Sequence, residues 1–422
     1  MSPSISGAKE QRTARRAMVG IAVAFLFAPM SLQAGTAPSS VPGATVDELL
    51  ALVQRFNPDL AAAALESEAE VAKIGSAGAL DDPMVNLTRD QGFRQTVLSV
   101  SQDFPLWGKR ELRTHVAESN AQVVKGREGN VARELEERVK VAFAQYYQAH
   151  NALRVTHDIH LLLHAVSGTA RARYAQGLAS QSDAIRAELE QTRLDPELSV
   201  IERDEQMAKA KINALIAHPA DAPLAEPQLL RKVPAAASLS LDGLMTRARD
   251  GNSELAAMRA EMATAEGERK LVDKSWYPDV TVTLGGSDLP NMSPRVVAGI
   301  GIKVPLQWGL RDAQAHAASA KKGAAQARLD GALLKIESEL ESGLATLRQT
   351  ERTVDLLKNT LSQQSVAAYR SSLASYEVGR GDLTSVIEAA HQQLTIRIDL
   401  LKTQTEAQAA LAAIERLVGG DL

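Results

Sequence analysis

The chain has 422 residues, 4% aromatics, no cysteine and a formal charge of −4 at pH 7. That length would fill two or three compact domains, but a chain rich in Ala, Leu, Glu, Gln and Arg with few aromatics favours long helices over a thick core. The mild acidity argues against a nucleic-acid binder, and the lack of cysteine excludes disulfides, thiolate metal sites and a lipid on an N-terminal Cys.

Arg12, Arg15 and Arg16 precede the apolar run Met18 to Ala28 and the exit Ser31-Leu-Gln-Ala34. A basic head, a short apolar stretch and a small-residue exit describe a secretory signal peptide over residues 1–34, followed by a linker over 35–44. The apolar run is too short to span a bilayer as a helix. An exported chain of this size without disulfides fits a Gram-negative envelope.

A helix is expected from Asn57 to Ala79. Val85 and Leu87 then alternate with Asn86 and Thr88, and Leu98 and Val100 with Ser99 and Ser101. This period of two marks a pair of strands, joined by the short link Asp90-Gln-Gly-Phe93. Next comes Gln102-Asp-Phe-Pro-Leu-Trp-Gly-Lys-Arg110, and from Gly108 to Tyr174 no proline intervenes. The spacing predicts a helix of about 67 residues, roughly 100 Å long at 1.5 Å per residue. Tyr174-Ala-Gln-Gly177 reads as a helix–helix turn, with Gly supplying the left-handed residue and Ser180 capping the next helix. That helix runs to about Ala217, and Pro196 is expected to kink or restart it.

A segment with Pro219, Pro223, Pro227 and Pro234 reads as an extended connector over 219–239. The same grammar then returns. Asn252-Ser-Glu-Leu255 answers Asn57-Pro-Asp-Leu60, and Pro278 answers Pro83. Lys303-Val-Pro-Leu-Gln-Trp-Gly-Leu-Arg311 answers the earlier phrase with Gln307 inserted, and Tyr376-Glu-Val-Gly379 answers Tyr174-Ala-Gln-Gly177. Four landmarks in one order define two repeats, 45–218 and 240–419. In the second, Val280, Val282 and Leu284 alternate with Thr281 and Thr283. Val296 to Val304 alternate likewise after the link Ser287 to Pro294. In the helix from Gly309 to Tyr376, Leu333, Leu340, Leu347, Val354 and Leu361 recur at spacing seven, a coiled-coil seam. The last helix runs from about Asp382 to Val418. In each repeat, the helix before the strands and the helix after the turn together nearly match the long helix. Each repeat is therefore expected to be one long rod beside two half-rods in line, with a strand hairpin at one end.

The strands have one apolar face and one small, polar face, as a soluble hairpin or a lipid-facing barrel would. Trp107, Trp276, Tyr277 and Trp308 all sit at strand ends. Aromatic girdles occupy such places in membrane barrels; ordinary packing at a strand-to-helix corner is the other reading.

The duplicated strand–strand–long-helix unit, the phrase Phe104-Pro-Leu-Trp-Gly-Lys-Arg110 and the paired Tyr-x-x-Gly turns resemble the TolC family of outer-membrane efflux proteins. The phrase is most similar to its heavy-metal and cation branch. The resemblance covers nearly the whole exported chain. It implies a mainly α fold with a small β part. Coiled-coil hairpins would form an α-barrel, and four strands per chain would enter a twelve-stranded barrel of a homotrimer in the outer membrane. It implies a passive exit duct of a tripartite efflux system, with no cofactor. Its partners would be outer-membrane lipid, a periplasmic adaptor and an inner-membrane pump of the RND type. The requirement for several copies has independent support, because four strands cannot close a barrel and open edges cannot sit in lipid. Two alternatives stay open: a soluble periplasmic coiled-coil scaffold or adaptor, and the outer-membrane component of type I protein secretion.

The resemblance also places a periplasmic gate at the two turns, around Tyr174, Gly177, Gly379 and Asp382. Tyr376 matches the family's gate tyrosine and Asp183 a gate-bonding aspartate. Glu388 matches one of two acidic positions ringing the narrowest point; Ser385 stands at the other, and Gly381 stands where an arginine is usual. A ring of Glu388 would favour cations, while the salt-bridge lock is reduced. Separately, His157, His160 and His164 lie near one helix face at i, i+3 and i+7. They are candidates for weak Zn²⁺ or Cu²⁺ binding, with His391 as a partner from another helix; a solvated face is the plainer reading. There is no nucleophile–His–acid set, phosphate loop or HExxH motif, so an enzyme is not expected.

Overall fold

The computed structural model describes residues 41–90, 95–288 and 295–422. The expected signal peptide and most of the 35–44 linker lie outside the described residues. So does most of each link between strands.

The first half runs α1 (Val46–Phe56), α2 (Pro58–Ala77), β1 (Met84–Asp90), β2 (Gln95–Phe104), α3 (Lys109–Ala175) and α4 (Gln181–Leu215). An extended connector with one 3₁₀ turn leads to α5 (Leu241–Gly251), α6 (Ser253–Lys274), β3 (Asp279–Asp288) and β4 (Arg295–Lys303). Then follow α7 (Trp308–Leu356), a π turn (Leu357–Leu361), α8 (Ser362–Glu377) and α9 (Leu383–Val418). The short helices α1 and α5 go beyond the sequence reading. Each is amphipathic, with buried Leu49 or Leu244 facing inward.

Asn57 and Asn252 explain how the half-rods line up. Asn57 ends α1 and caps α2, its Oδ1 accepting from the Asp59 and Leu60 amides at 2.9 and 3.2 Å. Its Nδ2 donates to the Leu215 carbonyl at the end of α4, 2.8 Å away. Asn252 caps α6 through the Leu255 amide and donates to the Leu417 carbonyl of α9, both at 2.8 Å. A buried amide that satisfies one helix's first turn and another's last carbonyls joins the two end to end. Beside these composite rods lie the long ones: α3 packs on α2 and α4, while α7 packs on α6 and α9 and α8 packs on α9.

Two details differ from expectation. Pro196 neither restarts nor ends α4, which is continuous through it. The second long rod is not one uniform α-helix, because the π turn interrupts it. Its buried positions include Ile336, Leu340, Leu344 and Leu347 before the turn, Leu357 at its first residue, then Ser365, Tyr369 and Tyr376 after it. One extra residue between Leu357 and Ser365 rotates the seam, as a π turn does. Of the expected heptad, Leu340 and Leu347 are buried; Leu333, Val354 and Leu361 flank the seam half-buried.

Buried clusters sit around α1, α3 and α4, around α5, α6, α7 and α9, and toward the far turns. A buried ion network joins the halves at mid-length. Lys140 on α3 lies 2.8 Å from Glu415 on α9 and 2.6 Å from Asp421, and Arg231 of the connector reaches Glu415 at 3.0 Å.

The four strands form one antiparallel sheet in the order β1-β2-β3-β4. Val85 opposes Val100, Val100 opposes Leu284, and Leu284 opposes Ala298, so the apolar residues line one face. Among the described residues nothing covers that face: Val85, Leu87, Leu98, Leu284 and Ile300 are all exposed. The other face is polar, with Ser101 and Thr283 hydroxyls 3.0 Å apart and Thr281 donating to Asp103. The outer edges of β1 and β4 pair with no strand among the described residues.

Candidate functional site

Two places combine the residues singled out by the sequence. The first is the junction where the sheet meets the rods. After β2 the chain reverses through two left-handed residues, Trp107 (φ 66°) and Gly108 (φ 76°), into α3. The Trp107 indole holds this turn by donating to the Pro278 carbonyl at 2.9 Å, and its ring lies 5.2 Å from that of Tyr277. Lys109 is buried; its ammonium donates to the Tyr277 carbonyl at 2.9 Å and to Asp279 Oδ1 at 2.8 Å. Asp279 also accepts from the Leu106 amide at 3.2 Å. The phrase from the first half is thus locked onto the first residues of β3 in the second. Trp276 and Trp308 are exposed at the same end of the sheet. In the second phrase Gln307 takes up the change of direction (φ −88°, ψ 77°), so Trp308 already begins α7.

The second place is the far end of the rods. Gly177 (φ 73°) and Gly379 (φ 75°) supply the left-handed residues. The Leu178 amide returns to the Arg173 carbonyl at 2.8 Å, and the Arg380 amide to Ser375 at 2.9 Å. These bonds satisfy the last carbonyls of α3 and α8. Gly381 is fixed by space, since a Cβ there would meet Ser375 Cβ at 3.0 Å. That contact disfavours the family's arginine at this position.

Asp183 does not bond Tyr376. It closes a capping box with Ser180, its amide donating to the Ser180 hydroxyl at 3.1 Å. Asp382 caps α9 and accepts from the Ser385 hydroxyl at 2.6 Å, which holds its carboxyl below the usual range. Tyr376 is buried, with its hydroxyl unpartnered. Burial raises the phenol pKa; the Asp183 carboxylate adds to the rise and Arg173 opposes it. Tyr174 is largely exposed.

The residue that sequence reasoning missed is Arg173. Its guanidinium lies 5.0 Å from the Tyr376 ring centroid and donates to the Glu377 carbonyl at 2.6 Å and to the Leu178 carbonyl at 3.3 Å. One arginine therefore spans both turns. A basic residue in a last helical turn is visible in sequence; a partner 204 positions away is not. Beside it, Arg186 on α4 donates to the Thr384 hydroxyl of α9 at 2.7 Å. Glu388 is exposed on a cleft that also presents Arg186, Arg193 and His391.

The histidines are spread out. His157 and His160 stack with centroids 6.4 Å apart. However, His160 faces Asp195 at 3.5 Å, and His391 faces Glu190 at 3.1 Å instead of joining them. Among the described residues no three His, Asp or Glu side chains converge as metal ligands. The same residues contain no helix long and apolar enough to cross a membrane.

Residues 244–420 match the family model described as outer membrane efflux protein. Over that stretch, less than half of its length, the chain is similar to that family. No curated protein sequence matches it. Solved structures carry the same fold over most of its length. VceC of Vibrio cholerae is 18% identical over 89% of this chain and 96% of that chain, with a TM-score of 0.77. CusC is 15% identical over 89% and 92%, also at 0.77. The open state of MtrE of Neisseria gonorrhoeae is 16% identical over 92% and 94%, at 0.73.

Proposed function

We propose that this chain is an outer-membrane efflux protein and the exit duct of a tripartite efflux assembly. A homotrimer would join three sheets into a twelve-stranded barrel, and the two repeats of each chain, 45–218 and 240–419, would wall a periplasmic tunnel. The observation that carries this reading is the uncovered apolar face of the sheet with two unpaired edges. In water that face would expose a row of branched aliphatics; in lipid it is solvated, provided neighbouring copies satisfy the edges. The Trp107, Trp276, Tyr277 and Trp308 collar then marks one membrane surface. The Pro-rich 219–239 segment would be an equatorial strap between the repeats.

Transport through such a duct is passive, and the driving force comes from an inner-membrane pump of the RND type through a periplasmic adaptor. The cargo is metal cations or small toxic compounds, a reading supported by the likeness of the first phrase to the cation branch. Closure rests on the far turns. With Gly381 unable to supply the usual arginine, Arg173 holds the Tyr376 turn shut against the Leu178 turn. Reconstitution into planar lipid tests this. Wild-type protein is expected as a detergent-extracted trimer of low conductance, and Arg173→Ala is expected to raise its open probability several-fold. Release of the chain by osmotic shock as a monomer without pore activity would support the soluble scaffold instead. Resistance of a deletion strain to metal salts and to organic toxins discriminates the cargo.

A further inference from the structure

Helix α4 is held by little apolar packing. It and α9 are nearly equal in length, 35 and 36 residues. α9 buries Leu383, Val386, Ile387, Leu394, Leu411 and Ile414 among others, whereas Leu194 and Ile212 are the only large apolar residues that α4 buries. A cleft of about 810 Å³, lined by Pro196, Val200 and Met207 of α4 and by Leu394 and Ile398 of α9, keeps the middle of α4 off α9. Pro196 has no amide to offer the Thr192 carbonyl, so α4 bends most easily there.

Charge supplies what apolar packing does not. Among the described residues, three of the chain's eight histidines have a carboxylate within ion-pair distance of a ring nitrogen, and all three carboxylates belong to α4. His150 of α3 lies 3.2 Å from Glu205, His160 of α3 lies 3.5 Å from Asp195, and His391 of α9 lies 3.1 Å from Glu190. The pairs straddle Pro196, with Glu190 and Asp195 on the side of the far turns and Glu205 on the other.

We infer that α4 is a proton-operated clamp: imidazoles of α3 and α9 grip its carboxylates when protonated and let the segment 181–195 loosen when neutral. The sign follows from the groups around each ring. Lys209 lies 3.0 Å from Glu205 and competes for it, but Glu226 of the connector adds a second carboxylate beside the neighbouring Tyr146. Around His391 the cleft presents Arg186 and Arg193 against Glu190, Glu197 and Glu388; α3 and α8 bring no ion-pair partner to it among the described residues. Asp195 faces His160 with no Lys or Arg paired to it among the described residues, because Arg397 of α9 is turned to Asp158. His157, stacked on His160, is the one like charge that protonation adds there. At His150 and His391 carboxylates therefore outnumber fixed cations, and at His160 the carboxylate stands alone. A ring that gains a proton, ordinarily between about pH 8 and 5, turns a polar contact into an opposite-charge pair. One further step rests on the duct reading. The segment 181–195 follows the Leu178 turn that Arg173 holds, so acid firms the closed end of the duct.

Hydrogen exchange of the full chain in detergent tests the clamp. After correction for intrinsic rates, amides of 181–195 are expected to exchange about three- to tenfold more slowly near pH 5.5 than near pH 8, with those of α9 unchanged. His150→Gln, His160→Gln and His391→Gln together keep a polar group at each place and are expected to abolish the difference. Glu190→Gln with Asp195→Asn, which removes the two lower acceptors and spares the buried Glu205, is expected to remove most of it. A wild-type α4 that exchanges equally at both pH values, or a triple variant that keeps the wild-type response, overturns the clamp. In planar lipid the wild-type pore is expected to have a several-fold lower open probability near pH 5.5 than near pH 8, and the triple variant the same one at both. A pH response shared by both pores overturns the role of the clamp in closure. Exchange is read whether or not the protein conducts, so a chain without pore activity would sink the duct reading while a pH-dependent α4 still upheld the clamp.

Discussion

Leu344 on α7 is fully covered by protein, while Ile300 on β4 is 78% exposed. Both are large aliphatic residues in regular structure, so the difference lies in the surroundings each was shaped for. Along the rods, apolar positions recur every three or four residues and turn toward a partner helix, leaving the charged face to water. In the sheet they recur every second residue on one uncovered face, and the opposite face carries Ser101, Thr281 and Thr283. The regions also treat charge differently. The rods bury Lys140 and Glu415 as a mutually satisfied network at mid-length, whereas the strand ends bury one ammonium, Lys109, at the junction. What counts as interior is set by the solvent outside, and on the duct reading proposed above this chain meets two.

Substitutions can break that contrast. Glu415→Ala removes the acceptor shared by Lys140 and Arg231 and is expected to destabilise the helical part by about 3–5 kcal/mol. Asp421, largely exposed, compensates Lys140 only in part; denaturant unfolding followed by helical circular dichroism measures the loss. Leu344→Ala is expected to cost about 2–5 kcal/mol through the cavity it leaves. Leu284→Ala on the open face should cost much less in the same unfolding assay, and equal costs would mean that the face is covered. Ile300→Arg is expected to cost about 2–4 kcal/mol when refolding into bilayers is titrated. An arginine in place of Glu337, on the water side of α7, should stay within about 0.5 kcal/mol.

Most of the rods and all four strands were legible, because period two and period 3.6 are local signals. Leu98 and Val100 against Ser99 and Ser101 suffice to mark a strand, and the proline-free run from Gly108 to Tyr174 matches α3 closely. The π turn was not legible: the heptad from Leu333 to Leu361 runs up to it unbroken in sequence, and the one-residue shift shows only in the buried positions that follow, Ser365, Tyr369 and Tyr376. Helices α1 and α5 were missed because Asn57 and Asn252 mark a cap without showing that a second helix ends there. At the far turns, the glycines and caps could be read from residue type. Asp183 could not, since one carboxylate can serve its own helix end or a distant tyrosine, and only the fold selects its own capping box. Arg173 was hidden for the converse reason, being unremarkable locally and specific only through contacts that the fold brings together.

The smaller effects lie at those turns, where little is buried. Ser180→Ala removes half of a capping box and is expected to cost about 1 kcal/mol, seen as faster hydrogen exchange in the first turn of α4 with the mid-rod amides unchanged. The second turn is set by Asp382. Its carboxyl is held below its ordinary value of 3.8 by the Ser385 hydroxyl, so the stabilisation is full above that value and is lost as pH falls through the lower folded-state pKa. Tyr376 works in the opposite sense: burial keeps the phenol neutral, and its contribution is lost as pH rises beyond its ordinary value of 10.0. Exchange at the start of α9 should therefore, after correction for intrinsic rates, quicken at both extremes and stay flat between them. Asp382→Asn preserves a side-chain oxygen for the cap and cannot titrate, so it should remove the acid limb and leave the alkaline one. An acid limb that survives this substitution would assign the loosening to a different carboxylate, with Asp183 beside Tyr376 the next to replace.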